Sequence, residues 1–267
     1  KGEKVIGIGI KDTNKYCSIP STNLIWMLSD IYSQIICSYQ VKAVSLIGYC
    51  FGGVIALETA NRLNENSITV KSLSILDSLL LPPSFKVEDE LLMEMMFLDN
   101  IPVSYADIEM PNPALYEQII VQESMKKGVI NKGFLTSISG TTEREQLGNF
   151  FRELATIQKE ERFGLYAVQC KKNTNVEMPM ELIKSLYQVC VATFEAMHYE
   201  IYPYLGTINY FFAPEGEVGF KKMVLETWEG LALGAFNVIE TPGNHYTCVE
   251  QKENAEYLAG SLCDLKE

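Results

Sequence analysis

A strand-like run that leads into a glycine-rich turn and then a helix constrains this sequence more than any other feature. Residues 41–47 are mostly β-branched or apolar, and Gly48-Tyr49-Cys50-Phe51-Gly52-Gly53 follows them directly. Residues 51–66 carry apolar side chains at helical spacing, and residues 70–76 are typical of a further buried strand. A strand–helix–strand unit of this kind predicts a parallel sheet with helices on its faces.

The same alternation extends toward both ends of the chain. Further strands are predicted at residues 5–10, 207–212 and 236–240, and further helices at residues 22–40, 221–231 and in a terminal segment ending near residue 265. Between them no convincing strand is found, and helices are predicted at residues 88–98, 113–127, 144–169 and 180–202. We therefore predict an α/β fold with core parts at residues 1–81 and 207–267 and a large helical lid insertion at residues 82–206.

Charge and cysteine usage exclude several classes of function. The chain has 34 acidic and 22 basic residues, a formal net charge of -12, so we expect neither a nucleic-acid nor a membrane partner. No apolar run approaches the roughly 18–20 residues of a membrane span, and the N-terminal residues do not resemble a signal peptide. The seven cysteines are scattered without a C-x-x-C pair, which favours a reducing, cytoplasmic setting over disulfides or a metal site.

Cys50 is the candidate nucleophile because it lies within the pattern G-x-C-x-G at a strand-to-helix turn. A nucleophile on such a turn adopts a strained backbone conformation, and neighbours with a Cβ atom are expected to clash, which predicts glycine on both sides. The N-terminus of the following helix favours a thiolate, and the Phe51 backbone N–H is the predicted oxyanion donor. The alternative is a tight turn with a buried, inert cysteine.

The chain has two histidines, and His245 is the candidate base. It lies in Thr241-Pro242-Gly243-Asn244-His245-Tyr246, directly after the last predicted strand, at the edge where parallel sheets place their ligands. The alternative is a surface loop histidine. His198 lies within a predicted helix, and we interpret it as a packing or lid residue.

Two acids compete for the role of orienting the histidine. Asp77 ends the strand at residues 70–76 and can accept a hydrogen bond from Nδ1 of His245. Glu215 follows the strand at residues 207–212, which is the position that many α/β hydrolases use. The turn residues alone leave both acids open.

Taken together, these motifs resemble the thioesterase domains that end nonribosomal peptide synthetases and related polyketide synthases, a branch of the α/β hydrolases. The resemblance covers most of residues 5–80 and 205–265, and rests on the turn at residues 48–53, Leu76-Asp77-Ser78 and residues 241–246. It implies an α/β-hydrolase fold with Cys50, His245 and Asp77 as the catalytic triad and Phe51 in the oxyanion hole. Because the family places its acid directly after the strand that follows the nucleophile helix, the resemblance favours Asp77 over Glu215.

The resemblance also implies the substrate and the partner. An upstream acyl or peptidyl carrier protein would present the chain as a thioester on its phosphopantetheine arm, with no cofactor or metal bound by the thioesterase itself. Release would follow by hydrolysis or by intramolecular cyclisation, as in natural product biosynthesis.

Two features depart from the family pattern. The family usually has Ser where this sequence has Cys50; cysteine resembles its minority members, and an engineered Ser-to-Cys exchange would give the same sequence. The family also has an earlier strand and a Gly-rich loop that supply the second oxyanion donor. No such segment precedes Val5 here, so we expect that donor either from a segment outside this sequence or from another element.

Three other functions fit parts of the pattern. A stand-alone editing thioesterase or acyltransferase would use the same triad on short, mis-primed acyl groups. A cysteine hydrolase of the dienelactone-hydrolase kind would use Glu215 as its acid and act on small free substrates. A non-catalytic binding module with the same fold would keep Cys50 buried.

Overall fold

The computed structural model describes residues 4–80, 85–215 and 221–265. Its strands are β1 (Ala43–Tyr49), β2 (Thr69–Leu76), β3 (Lys86–Val87), β4 (Val129–Ile130), β5 (Ile208–Phe212) and β6 (Phe236–Glu240). Its α-helices are α1 (Thr13–Ser18), α2 (Ser21–Ser38), α3 (Phe51–Glu65), α4 (Glu90–Leu98), α5 (Pro113–Lys127), α6 (Thr142–Thr156), α7 (Lys159–Thr174), α8 (Met180–Ala196), α9 (Lys221–Leu231), α10 (Thr247–Glu250) and α11 (Lys252–Asp264). Among the described helices, none combines the length and the apolar character that a bilayer crossing requires.

The chain divides into two compact units. The described parts of residues 1–9, 19–81 and 199–267 form the core unit, and those of residues 10–18 and 82–198 form the helical unit. The predicted boundary at residues 81–82 lies outside the described residues. At the other predicted boundary, residues 199–206 pack with the core unit.

The core unit is built on a parallel sheet of four strands in the order β1-β2-β5-β6. The register aligns Tyr49, Leu76, Phe211 and Ile239 in one row across the sheet. Because the strands are parallel, the residues that follow this row emerge together at the carboxyl edge of the sheet. Such an edge is where open α/β sheets bind ligands.

Apolar clusters cover both faces of this sheet. On one face, Ile36 of α2 and Leu63 of α3 pack with Ile68 and with partly buried residues of β1 and β2. On the other face, Leu258 of α11 packs against Leu76 and Phe211. The predicted parallel sheet with helices on both faces is therefore confirmed.

A buried ion pair organises part of the helical unit. Nε and Nη2 of Arg162 in α7 each donate to Glu94 of α4 at 2.7 Å, and the Tyr166 hydroxyl also donates to Glu94 at 2.6 Å. Nη1 of the same guanidinium donates to the carbonyls of Leu154 and Ile157 at the end of α6. The carbonyls left free at the end of one helix thus find their donor on the next.

The predicted strand at residues 5–10 is wrong. The backbone of these residues is irregular, and Val5 is 91% exposed. A strand requires a neighbour to complete its hydrogen bonds, and within the described residues no strand pairs with this segment. Ile8 instead packs by its side chain against the cluster of Ile36, Leu63 and Ile68.

Several predicted boundaries also differ from the structure. The single helix expected at residues 144–169 is interrupted between α6 and α7, where Gln158 adopts an extended conformation. The helix expected at residues 180–202 ends at Ala196, and α1 was not anticipated. The region predicted to lack strands contains β3 and β4, which pair in parallel over two residues each.

Candidate active site

Cys50 occupies a strained turn between β1 and α3. Its φ is 53° and its ψ is -130°, a conformation that residues with a side chain rarely adopt. The turn is held because the Cys50 N–H donates to the Leu76 carbonyl at 3.0 Å and the Gly53 N–H donates to the Cys50 carbonyl at 2.9 Å. Cys50 is partly exposed, which argues against the reading of a buried, inert thiol.

Glycine is sterically required at two positions around this turn. A Cβ atom on Gly48 would lie 2.2 Å from the Gly52 carbonyl oxygen, and one on Gly53 would lie 2.7 Å from the Ser78 side chain. A Cβ atom on Gly52 would meet nothing within 4 Å. We expected that a side chain at position 52 would clash, and this expectation is wrong. The crowding at this turn falls on Gly48, which lies against the Gly52 carbonyl.

Asp77 follows β2 and is held rigidly. Its φ is 43°, its N–H donates to the Phe211 carbonyl at 2.8 Å, and its side chain is nearly buried. Oδ1 accepts a hydrogen bond from the Ala213 N–H at 3.0 Å, which leaves Oδ2 for a second partner. The carboxylate is therefore oriented before any other side chain approaches it.

His245 is that second partner. Its Nδ1 lies 2.8 Å from Oδ2 of Asp77, and its side chain is 19% exposed. With Nδ1 donating to the carboxylate, Nε2 is the ring nitrogen left for another partner. Burial opposes protonation of the imidazole, but hydrogen bonds to Asp77 and Cys50 and their negative charges outweigh it and raise the pKa of His245 to about 10.

The loop that carries His245 is fixed by local hydrogen bonds. Oδ1 of Asn244 accepts from the N–H groups of Tyr246 and Thr247 at 3.1 and 2.9 Å, and the Asn244 N–H donates to the Thr247 hydroxyl at 2.8 Å. Gly243 has a φ of 91°, and a Cβ atom there would lie 2.5 Å from the Thr247 hydroxyl oxygen. Asn and Gly thus form a tight turn that sets the position of the histidine.

Glu215 and His198, the other candidate acid and the other histidine, make different contacts. Glu215 is exposed, its backbone N–H donates to the Gly243 carbonyl, and it is Asp77 that pairs with His245. This geometry therefore does not support the dienelactone-hydrolase alternative, which requires Glu215 as the acid. His198 lies in a turn after α8 and not within a helix as predicted, in the helical unit, with its ring edge-on to Phe194.

Phe51 begins α3, so its backbone N–H is among the helix N-terminal donors that have no partner within the helix. This position suits the predicted oxyanion donor. In the residues that the structure describes, no group of three or more His, Cys, Asp or Glu side chains is arranged to hold a metal ion.

Two residues beside the site were missed at the level of sequence. The Tyr49 hydroxyl donates to the His245 carbonyl at 2.7 Å, and Sγ of Cys248 contacts the same oxygen at 3.3 Å. Tyr49 lies within the predicted turn motif, but its contact with a residue 196 positions away has no local signal. The triad itself, Cys50, His245 and Asp77, stays a prediction that this geometry supports.

Comparisons with known proteins agree with the resemblance seen in the sequence. A family model described as "Thioesterase domain" matches residues 18–94, which include Cys50 and Asp77. Pyochelin synthetase PchF of Pseudomonas aeruginosa strain UCBPP-PA14 is 28% identical over 98% of this chain, and PchF of strain PAO1 is 27% identical over 98%. The chain spans 13% of the length of each of these relatives.

Solved structures show the same fold. A crystal structure of holo-AB3403, a four-domain nonribosomal peptide synthetase bound to AMP and glycine, matches with a TM-score of 0.61 and 16% identity, over 90% of this chain and 16% of that one. The Vlm2 thioesterase domain bound with a dodecadepsipeptide matches with a TM-score of 0.50 and 17% identity, over 91% of this chain and 74% of that one. The predicted α/β-hydrolase fold and the resemblance to thioesterase domains of nonribosomal peptide synthetases are confirmed.

Proposed function

We propose that this chain is a chain-releasing thioesterase that takes an acyl or peptidyl group from a carrier-protein thioester onto Cys50. The observation that carries the proposal is the 2.8 Å contact between Nδ1 of His245 and Oδ2 of Asp77 at the carboxyl edge of the sheet, together with the contribution of Cys50 to the raised pKa of His245. An oriented base beside a nucleophile on a strained turn is the arrangement that acyl transfer requires.

In the first step, the Cys50 thiolate attacks the thioester carbonyl of the substrate. The Phe51 N–H donates to the oxygen as it gains negative charge. The new bond joins Sγ of Cys50 to the acyl carbon, and the bond to the pantetheine sulfur breaks. His245 gives its proton to the departing thiolate, which leaves as a neutral thiol on the carrier arm.

In the second step, neutral His245 acts as the base. Acylation consumes the negative charge on Cys50, which is one cause of the raised pKa of the imidazole. The imidazole then accepts a proton from water, or from an amine or hydroxyl of the chain itself. The attacking atom bonds to the acyl carbon, and Cys50 leaves as a thiolate beside protonated His245.

A sulfur nucleophile makes the covalent intermediate a thioester, like the substrate. The acyl group therefore retains more transfer energy than it would on serine. This favours release by a demanding nucleophile, such as an internal amine or a hydroxyl that closes a ring. We propose that the helical insertion, predicted at residues 82–206, decides between ring closure and hydrolysis by admitting or excluding water.

The proposed partner is an upstream acyl or peptidyl carrier protein with a phosphopantetheine arm, in the cytoplasm. Similarity to the PchF synthetase supports this partner. The net charge of -12 disfavours docking by charge attraction to a carrier protein, because such proteins are usually acidic too. We therefore propose docking through apolar contacts.

Intact-protein mass spectrometry tests the proposal. The wild-type chain is incubated with an acyl-pantetheine thioester, and peptide mapping locates the adduct. We expect one acyl group on Cys50 and its loss in Cys50→Ala, whereas Cys263→Ala, which removes an exposed cysteine, should retain the adduct. An adduct that persists in Cys50→Ala, or no adduct and no hydrolysis with any acyl length, would contradict the proposed function.

A further inference from the structure

Tyr49 contacts His245 at two points that the proposed chemistry does not use. Its hydroxyl donates to the His245 backbone carbonyl at 2.7 Å. Its ring is stacked on the imidazole with a centroid separation of 5.0 Å and an interplanar angle of 25°. One side chain thus touches both the backbone and the ring of the candidate base.

The Tyr49 side chain is supported from behind. It is the last residue of β1, and it packs against the cluster of Leu76, Phe211 and Leu258 that joins the sheet to α11. His245, in contrast, lies in a loop between β6 and α10. The aromatic ring therefore acts as a fixed surface against which a loop residue is held.

The two contacts complement the bond from Asp77. The carboxylate fixes Nδ1 of His245 at one edge of the imidazole, which still permits the ring to tilt about that bond. Stacking on Tyr49 restricts the tilt, and the hydroxyl restricts the backbone from which the side chain extends. Orientation of this kind matters because small misplacements of a catalytic group cost large factors in rate.

The stacked ring also favours a charged imidazole, because the face of an aromatic ring attracts a cation. The ring of Tyr246 lies edge-on to the imidazole at 5.0 Å between centroids, and the other titratable groups around the pair are Cys50, Asp77, Cys248 and Glu250. Burial and these neighbouring groups raise the pKa of Tyr49 itself, so its hydroxyl remains a neutral donor.

We propose that Tyr49 is a positioning residue for His245, which it holds in the reactive orientation and in the charged form through its ring face and its hydroxyl. The inference rests on the proposed function, because it concerns the histidine of that reaction. It goes further because it assigns a role to Tyr49, the residue before the nucleophile. The ring and the hydroxyl of Tyr49 contribute separately, and two substitutions can remove them in turn.

The experiment compares Tyr49→Phe, which retains the ring but not the hydroxyl, with Tyr49→Leu, which removes both. Tyr257→Leu is the matched control, because Tyr257 is half exposed on α11. NMR titration of the two histidines gives the pKa of His245, and His198, whose pKa is lowered chiefly by burial, serves as an internal reference. Steady-state kinetics with an acyl-pantetheine thioester give kcat and KM.

We expect Tyr49→Leu to lower the pKa of His245 by about one unit and kcat by about 10- to 100-fold, with KM changed less than about twofold. Tyr49→Phe should retain the pKa and lower kcat by about three- to tenfold. A folded Tyr49→Leu variant with the pKa and kcat of Tyr257→Leu overturns the inference. If Tyr49→Leu fails to fold, Tyr49→Phe decides, and an unchanged kcat in that variant overturns the inference.

The two readouts separate this inference from the proposed function. The pKa of His245 is measured without substrate, so it tests the coupling to Tyr49 even if the wild-type chain forms no acyl-enzyme. Wild-type turnover combined with an unshifted pKa and unchanged kcat in the variants would leave the proposed function standing and remove only the role of Tyr49. If the wild-type chain shows no turnover but Tyr49→Leu shows the expected shift in the pKa of His245, the proposed function is contradicted and the coupling of Tyr49 to His245 stands.

Discussion

Nδ1 of His245 lies 2.8 Å from Oδ2 of Asp77, although 168 positions separate the two residues in the sequence. The contact forms because β2 and β6 both end at the carboxyl edge of one parallel sheet. The other carboxylate oxygen is occupied by the Ala213 N–H, so the acid offers the histidine a single, fixed acceptor.

Asp77→Asn should lower kcat by about 10²- to 10⁴-fold while the protein remains folded. An amide at this place can donate to Nδ1 and thereby favour the wrong tautomer of His245. The rate of acyl-pantetheine hydrolysis measures the effect, and Glu215→Gln, at the exposed competing acid, should change it little. A larger loss in Glu215→Gln than in Asp77→Asn would contradict the assignment of the acid.

The pKa of His245 predicts a pH dependence of stability. Hydrogen bonds to Asp77 and Cys50 prevail over burial and raise this pKa from the ordinary 6.5 to about 10. Because the folded value lies above the unfolded one, the contribution is fully present below pH 6.5 and is lost as the pH rises through about 10. The free energy of unfolding of the wild type should therefore fall relative to that of His245→Gln over this range.

Urea unfolding of the two proteins at matched pH values measures this difference. Titrating groups that do not interact with His245 are common to both chains and cancel in the comparison. If the free energy of unfolding of the wild type rises relative to that of His245→Gln between pH 6.5 and 10, the assignment of the raised pKa is contradicted.

Gly48 and Gly52 form a matched pair for the turn. Gly48→Ala should destabilise the protein by about 3 kcal/mol, because the new Cβ atom would lie 2.2 Å from the Gly52 carbonyl oxygen and the backbone must move. Gly52→Ala places its methyl group in open space and should cost little. Equal destabilisation of both variants in urea unfolding would disagree with the described turn.

Arg162 provides a test of the helical unit. Arg162→Met should destabilise the protein by about 3–5 kcal/mol, because it leaves the fully buried Glu94 carboxylate without its cation and the end of α6 without a donor. Lys222→Met, which removes an exposed side chain, is the control and should have little effect. Similar midpoints in urea for Arg162→Met and the wild type would show that the pair does not stabilise the fold.

The parts of the fold that the sequence predicted well are those with local signals. β1, α3 and β2 follow from side-chain periodicity, and Cys50 and Asp77 follow from their places at strand ends. His245 followed from the turn after the last strand. Residues 5–10 have a strand-like pattern, but pairing depends on a neighbour that local periodicity does not reveal.

The features missed depend on distant partners. At the break between α6 and α7, the Arg162 guanidinium donates to a free carbonyl at the end of α6. At the turn, the carbonyl of Gly52 lies where a side chain on Gly48 would have to fit. The stacking of Tyr49 on His245 joins residues on different elements. None of these contacts has a signature in a single segment, so each became visible only in three dimensions.

Peptide-resolved alkylation by iodoacetamide tests the claim that His245 activates Cys50 as a nucleophile. We expect Cys50 in the folded wild type to react at least about 100-fold faster than the exposed Cys263. In His245→Ala, the rate at Cys50 should fall toward that of Cys263. Equal rates at the two cysteines in the wild type, or a fast rate at Cys50 that persists in His245→Ala, would contradict the claim.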